Sequence, residues 1–231
     1  MSEDTGQRIG AWAGIGFVVT GVASAIVAGM PPAFDDSVAK IRTYFADHHT
    51  ALNLSNLLLA MAVLSVFCFL GALRLRIARA EGEGGYLAQV FFGAALVTIA
   101  MALVGMFLTV AMTQRVAALQ DDAVVRAAFE MTFLVAFGGT AFTTAVFLAA
   151  ASTVILRTGM LASWIGWLGM LGVAVNLLGG GAIIIQDTSG LAVLGLIGFL
   201  IFALWVLVVC VVMLIGRSPA RSTAGGVTAP A

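Results

Sequence analysis

Six long apolar stretches fill most of the chain, and each is close to the length that crosses a lipid bilayer. A helix rises about 1.5 Å per residue, so about 20 apolar residues span the hydrocarbon core. Apolar residues make up 61% of the 231 residues and charged residues only 10%. A soluble domain has about 25% charged residues. We therefore predict an all-α polytopic membrane protein, a bundle of six transmembrane helices. The predicted spans are approximately 10–30, 51–73, 87–112, 127–155, 162–184 and 190–216.

The basic residues predict which side of the membrane each loop faces, because Lys and Arg concentrate in cytoplasmic loops. With a cytoplasmic N-terminus, seven of the 11 basic residues fall in cytoplasmic segments. Both termini are then cytoplasmic, and residues 1–216 form one transmembrane domain. The Ser-, Ala-, Gly- and Pro-containing segment 217–231 is predicted to be a disordered tail. Arginine greatly outnumbers lysine, which indicates a GC-rich genome and hence a bacterial plasma membrane.

A short amphipathic helix is predicted between the first two spans. Pro31 and Pro32 end the first span, since proline cannot continue the helical hydrogen bonds. Residues 35–37 (Asp-Asp-Ser) offer N-caps for a following helix. Apolar residues then recur at helical spacing over 36–49, which predicts an extracytoplasmic helix that lies on the membrane surface or caps the bundle. These apolar residues are Val38, Ile41 and Phe45.

Small residues recur in spans one, four and five, where they let helix backbones approach closely. Gly10 and Gly14 form one such pair at the start of span one. The triplet 179–181, three glycines inside span five, indicates either very close packing or a locally unwound turn. An unwound turn would have to line a protein-enclosed space, because lipid cannot satisfy exposed backbone groups.

Polar side chains inside a membrane are costly, so their positions are the strongest functional signal in this chain. His49, Asn53 and Asn56 follow at i, i+4 and i+7, which places them on one face of span two. Glu130 lies near the outer end of span four, and Asn176 lies in the outer half of span five. We hypothesise that these five residues bind a ligand in an outward-facing cavity. Glu130 would supply a charge or a proton site, and the asparagines would bind a hydroxyl, amide or head group.

Three functions fit this distribution of polar groups. The first is that the protein binds a small or amphipathic molecule and, in the strongest form of this hypothesis, also translocates it. The second is a non-catalytic accessory or assembly subunit whose glycine-rich faces dock a membrane-protein partner or a second copy of the chain. The third is an intramembrane enzyme. A structural role for each polar residue also stays open, because hydrogen bonds between membrane helices stabilise by only about 0.6 kcal/mol on average.

Other chemistries lack their sequence signals. The net charge is zero and there is no basic stripe, so nucleic acid is not an expected partner. The expected partner is membrane lipid. The chain has no P-loop, HExxH or CxxC motif. His48 and His49 are adjacent and point about 100° apart on a helix, so they do not form a pair of ligands for one metal ion. No cofactor, metal ligand or catalytic residue is therefore predicted.

Two segments carry a resemblance to a known group of proteins. The predicted outer helix runs through His48-His49 into span two, and the stretch from Trp164 to Gly169 (WIGWLG) opens span five. In this layout the chain resembles small six-span bacterial membrane proteins, common in actinobacteria, that are grouped as a domain of unknown function. The resemblance covers most of the chain. It implies no activity, and no site residues carry over from it.

Overall fold

The structure, a computed structural model, describes the backbone of residues 3–82, 84–184 and 188–215 and the side chains of 5–82, 84–183 and 193–215. Within these ranges it is all-α, and six helical stretches are long and apolar enough to cross a membrane. The predicted multi-pass bundle is therefore confirmed, whereas the predicted tail 217–231 lies outside the described residues. In chain order the helices are α1 (Glu3–Ala28), α2 (Val38–Asp47), α3 (His49–Glu81), α4 (Tyr86–Gln114), α5 (Asp122–Phe133), α6 (Thr140–Thr158), α7 (Ser163–Ile184) and α8 (Thr188–Ile215).

The spans form a closed ring in sequence order, with α5 and α6 together making the fourth span. Each span packs on the next, and α8 returns to pack on α1, while α3 also contacts α6 across the ring. The middle of the ring is filled by aromatic side chains. The ring of Phe147 lies 4.7 Å from that of Phe91 and 5.9 Å from that of Trp205, measured between centroids. These side chains make the centre a packed core.

Large apolar side chains cover the outside of the ring. Ile26, Leu64 and Leu178 are 75%, 67% and 65% exposed. Such a surface is unfavourable in water and favourable against lipid hydrocarbon. Trp164 and Trp167 are also exposed, at the start of α7, where an amphipathic ring suits the membrane interface. The bundle is therefore a multi-pass membrane protein in contact with lipid.

Close approach and hydrogen bonding together join α1 to α3. A Cβ atom added at Gly10 would lie 2.2 Å from Ala72 Cβ, and one added at Gly14 would lie 2.7 Å from the ring of Phe69 on α3 and would also meet Cys210 on α8. Further along the same interface, Ser24 Oγ donates to the carbonyl oxygen of Ser55 at 2.9 Å, and Ser55 Oγ donates to that of Ser24 at 3.0 Å. The predicted packing role of the Gly10–Gly14 pair is thus confirmed.

Helix α2 covers one end of the ring, which we call the α2 end. Ser37 is its N-cap and accepts a hydrogen bond from the Lys40 amide at 3.3 Å. Its apolar face carries Ile41 and Phe45, both buried. They pack in one cluster with side chains of α3, α4 and α5. Of the two predicted positions for this helix, capping the bundle is therefore the one observed.

The α2 helix does not run unbroken into α3, which corrects the prediction of a continuous helix through His48-His49. His48 leaves the helical conformation, with φ −103° and ψ 15°. Its ring Nδ1 donates to the Tyr44 carbonyl oxygen at 3.0 Å, and the two rings stack at 4.8 Å. A side-chain donor at this carbonyl supports the end of α2, and the chain then turns down into the membrane.

The fourth span, and not the fifth, contains the irregular helix. α7 stays helical through the glycines 179–181, which confirms the packing alternative. A Cβ atom at Gly180 would lie 2.9 Å from the ring of Phe142. Between α5 and α6, the segment Leu134–Gly139 forms an unpredicted π-helix. Thr140 Oγ1 donates to the Ala136 carbonyl at 2.5 Å, so a side chain satisfies a backbone acceptor where the hydrogen-bond pattern changes.

The turn between α3 and α4 is held by one carboxylate. Glu81 Oε1 accepts from the Leu87 amide at 2.8 Å, and Oε2 accepts from the Ala88 amide at 3.0 Å. Both amides belong to the first turn of α4, where backbone N–H groups have no partner within the helix. The negative charge also suits the positive end of the helix dipole. Glu81 therefore closes the α3–α4 hairpin.

Replacing Glu81 by alanine is expected to lower the free energy of unfolding by about 1–2 kcal/mol, the usual contribution of a helix N-cap. Glu81→Gln keeps one acceptor oxygen and loses the charge, so an intermediate loss is expected. The measurement is helix content against SDS mole fraction for protein in detergent micelles. Gln89→Ala, in the same turn of α4 and exposed, is the matched control. Equal stabilities of the Glu81→Ala and Gln89→Ala proteins would contradict the capping role.

Candidate functional site

A chain of hydrogen bonds connects three polar side chains at the α2 end of α3 and α4. Gln114 Nε2 donates to Asn53 Oδ1 at 3.2 Å, and Asn53 Nδ2 lies 3.4 Å from His49 Nδ1. Because the Asn53 oxygen faces Gln114, its amide nitrogen faces His49, and His49 Nδ1 acts as the acceptor. All three groups lie in exposed surroundings.

Asn56, one turn further into the membrane on α3, is different. Its Nδ2 atom is buried and has no hydrogen-bond partner among the described residues. A buried amide without a partner is destabilising by about 1–3 kcal/mol. Asn56 therefore has an unsatisfied donor inside the bundle.

Glu130 lies in a charged cluster that joins α5 to the segment before α2. Arg126 Nε donates to Glu130 Oε1 at 2.6 Å, and Arg126 Nη1 donates to the Asp36 carbonyl oxygen at 2.6 Å. The Arg126 guanidinium also lies 5.9 Å from the ring centroid of Phe34. The charge of Glu130 is thus balanced by a neighbour on its own helix, and the cluster fixes how the cap sits on the bundle.

Asp36 is held in place in the same region. Its carboxylate accepts from Lys40 Nζ at 2.8 Å and from the Ala33 amide at 2.7 Å. The Lys40 hydrogen bond, followed by that of the Ala33 amide, holds the pKa of Asp36 below its ordinary value. A second link to α5 comes from Arg42 Nη2, which donates to Asp122 Oδ1 at 2.8 Å. These contacts give the α2 end a connected set of ion pairs.

Asn176 lies away from these groups, in a cavity between spans four, five and six. The cavity has about 10 Å³ of room for the centre of a water-sized group, within a partly open cleft of about 230 Å³. Asn176 is the one polar side chain among the described lining residues. It lies eight residues before the end of α7, which is about 12 Å along the helix. We call this space the Asn176 cleft. Its walls include Phe137 and Ala141 from span four, Gly179 from α7, and Leu194 and Gly195 from α8.

The side chain of Asn176 is oriented by its own helix. Nδ2 donates to the Gly172 carbonyl oxygen at 2.8 Å. Its other face is against α8, where a Cβ atom added at Gly198 would lie 3.3 Å from Oδ1. The absent side chain of Gly198 therefore makes room for the amide. Phe137, which belongs to the π-helix, lies on the opposite wall of the cleft.

The structure brings together two of the five predicted ligand-binding residues, His49 and Asn53. Asn56 has no hydrogen bond to either of them, Glu130 pairs with Arg126, and Asn176 alone of the five lines the cleft. A ligand-binding role for these five residues stays a prediction. Two further features of the site were not predicted from the sequence, namely the partnership of Gln114 with Asn53 and the π-helix that carries Phe137.

A sequence signal for the π-helix exists in retrospect. Two glycines, Gly138 and Gly139, are followed by Thr140 and Thr143. The glycines weaken the regular helix, and hydroxyl groups at this spacing supply donors to carbonyls one turn earlier. Thr143 Oγ1 indeed donates to the Gly139 carbonyl oxygen at 3.1 Å.

Comparison with known proteins adds no family or activity to this description. The chain matches no protein-family model, no curated protein and no solved structure. The resemblance to the six-span bacterial proteins therefore stays a prediction, and the function has to be argued from the site itself.

Proposed function

We propose that this protein is a bacterial plasma-membrane protein that binds a small amphipathic molecule in the Asn176 cleft. The observation that carries the proposal is the amide of Asn176 in a cleft between three spans whose other described lining residues are apolar. Ligand sites are typically apolar and concave, with a few polar groups that fix orientation. A polar side chain at this depth is costly and is by default a functional candidate.

Two features support a site here over a packing defect. The π-helix interrupts span four on the wall of the cleft, and such segments occur frequently at functional sites. Glycines at positions 179 and 195 form part of the other walls, so backbone can approach a ligand closely. An apolar chain would lie against Leu194 and Phe137, and the polar end of the ligand would meet Asn176.

Photolabelling tests this proposal. The probe is dodecanol carrying a diazirine on its chain, added to the protein in phosphatidylcholine nanodiscs, and labelled peptides are identified by mass spectrometry. We expect saturable labelling on peptides from the fourth, fifth and sixth spans. Asn176→Leu keeps the side-chain volume and removes the amide, so we expect it to weaken saturable labelling by about tenfold, the loss expected for one hydrogen bond away from water.

Asn53→Leu is the matched control, because it removes an asparagine from the exposed network at the α2 end and leaves the cleft unchanged. Its labelling should equal that of the wild-type protein. Labelling that never saturates and spreads over lipid-facing positions such as Leu64 and Phe107 would contradict a site in the cleft.

A further inference from the structure

Building on the proposed function, we propose that the ligand is a neutral membrane alcohol: a molecule with an apolar chain and one hydroxyl group, which donates its hydrogen bond to Asn176 Oδ1. Three properties of the cleft support this class of ligand. They are the hydrogen-bond acceptor left over on Asn176, the absence of charge on the described walls, and the small room for the polar end of a ligand.

The amide atom of Asn176 that is left over for a ligand is a hydrogen-bond acceptor. The atom that faces the Gly172 carbonyl oxygen at 2.8 Å must be the donor Nδ2, since a carbonyl only accepts. The orientation of the amide is therefore fixed, and Oδ1 is the atom left to accept a hydrogen bond from a ligand. A ligand that satisfies Oδ1 has to bring an O–H or N–H group. An ether, an ester or a ketone offers acceptors only and would leave this oxygen unpaired.

The described side chains that line the cleft include no partner for a charged ligand. The described lining residues are apolar except for Asn176. An ionised group in such surroundings would be strongly disfavoured without a counter-ion. Ligands whose head group is a carboxylate, a phosphate or an ammonium ion are therefore disfavoured at this position.

The polar end of the ligand must also be small. The room of about 10 Å³ is close to the least that admits one water-sized group. A hydroxyl group matches this space, whereas a sugar or a glycerol head group would need the walls to move apart. Donor character, neutrality and size together leave an alcohol as the simplest match.

Backbone acceptors in the nearby π-helix do not replace Asn176. The Ala136 carbonyl accepts from Thr140, and the Gly139 carbonyl accepts from Thr143. Their threonine partners lie one turn further along the same span. These two carbonyls already have side-chain donors, whereas Asn176 Oδ1 is a side-chain acceptor among the described lining residues.

A competition series tests the class of ligand. The diazirine probe is displaced by unlabelled dodecanol, dodecyl methyl ether, dodecane or dodecanoate, all in the same nanodiscs. We expect dodecanol to compete about tenfold better than the ether, as one hydrogen bond predicts. The alkane should resemble the ether, and dodecanoate at neutral pH should compete least. In Asn176→Leu the preference for the alcohol over the ether should disappear, which a purely structural role of Asn176 would not cause.

The outcomes separate this inference from the proposed function. If the ether competes as well as the alcohol in the wild-type protein, the alcohol class is wrong and a binding site in the cleft still stands. If dodecanoate competes best, the assignment of a neutral ligand is wrong. If no compound displaces the probe, the cleft holds no specific ligand and the proposed function fails as well. The wild-type comparison needs no variant, so poor folding of Asn176→Leu would not obscure the result.

Discussion

Trp205→Ala is expected to lower the free energy of unfolding by about 3 kcal/mol or more, since it removes the largest fully buried side chain of the core. Lipid is as apolar as the core, so the loss comes mainly from the cavity and from missing dispersion contacts. The indole ring contacts Phe147, and its Nε1 donates to the Ile165 carbonyl oxygen at 3.1 Å. SDS titration of the purified protein, followed by circular dichroism, measures the effect.

Two further substitutions separate packing from hydrogen bonding at this position. Trp205→Phe keeps most of the aromatic contact and removes the N–H donor, so a loss of about 1 kcal/mol is expected. Trp167→Ala is the control, because Trp167 is 66% exposed on the outside of the bundle, and its stability should stay within about 0.5 kcal/mol of the wild type. Similar losses for Trp205→Ala and Trp167→Ala would mean that the centre of the ring is not the packed core described above.

The spans could be predicted from the sequence because the bilayer sets their length. A helix that crosses about 30 Å of hydrocarbon needs a long apolar stretch, and six such stretches are visible in the chain. The breaks within the helices could not be read in the same way. The bend at His48 depends on a ring that bonds and stacks on Tyr44. The π-helix at 134–139 depends on how span four meets its neighbours, and no proline marks either feature.

The candidate site was harder to predict because helix rotation is weakly encoded in spans that are apolar all round. Spacing placed His49 and Asn53 on one face, and they do lie together. It did not show that this face meets Gln114. The Arg126–Glu130 pair was readable as an i, i+4 contact. For Asn176, the depth in the membrane could be predicted from the sequence but the direction of the side chain could not, and the direction decides that it lines a separate cleft.

Exchanging glycine and alanine between the facing positions 10 and 72 tests the close approach of α1 and α3. Gly10→Ala would place a methyl group 2.2 Å from Ala72 Cβ, and the resulting overpacking is expected to destabilise the protein by about 1–3 kcal/mol. Ala72→Gly alone should cost about 1 kcal/mol, because glycine is a poor helix former. In the double variant the methyl group has only moved across the interface. The double variant should therefore lose less free energy of unfolding than the two single variants lose together, by about 1 kcal/mol or more.

Gly71→Ala is the matched control, since a Cβ atom added there meets nothing within 4 Å. This substitution should be neutral or slightly stabilising, because alanine favours the helix. In the double variant the new methyl group at position 10 would still lie 3.1 Å from the Cys68 carbonyl oxygen, so rescue should be partial. If the losses in free energy of unfolding caused by Gly10→Ala and Ala72→Gly simply add in the double variant, α1 shifts away from α3 without resistance. The glycine would then permit the close approach without fixing it.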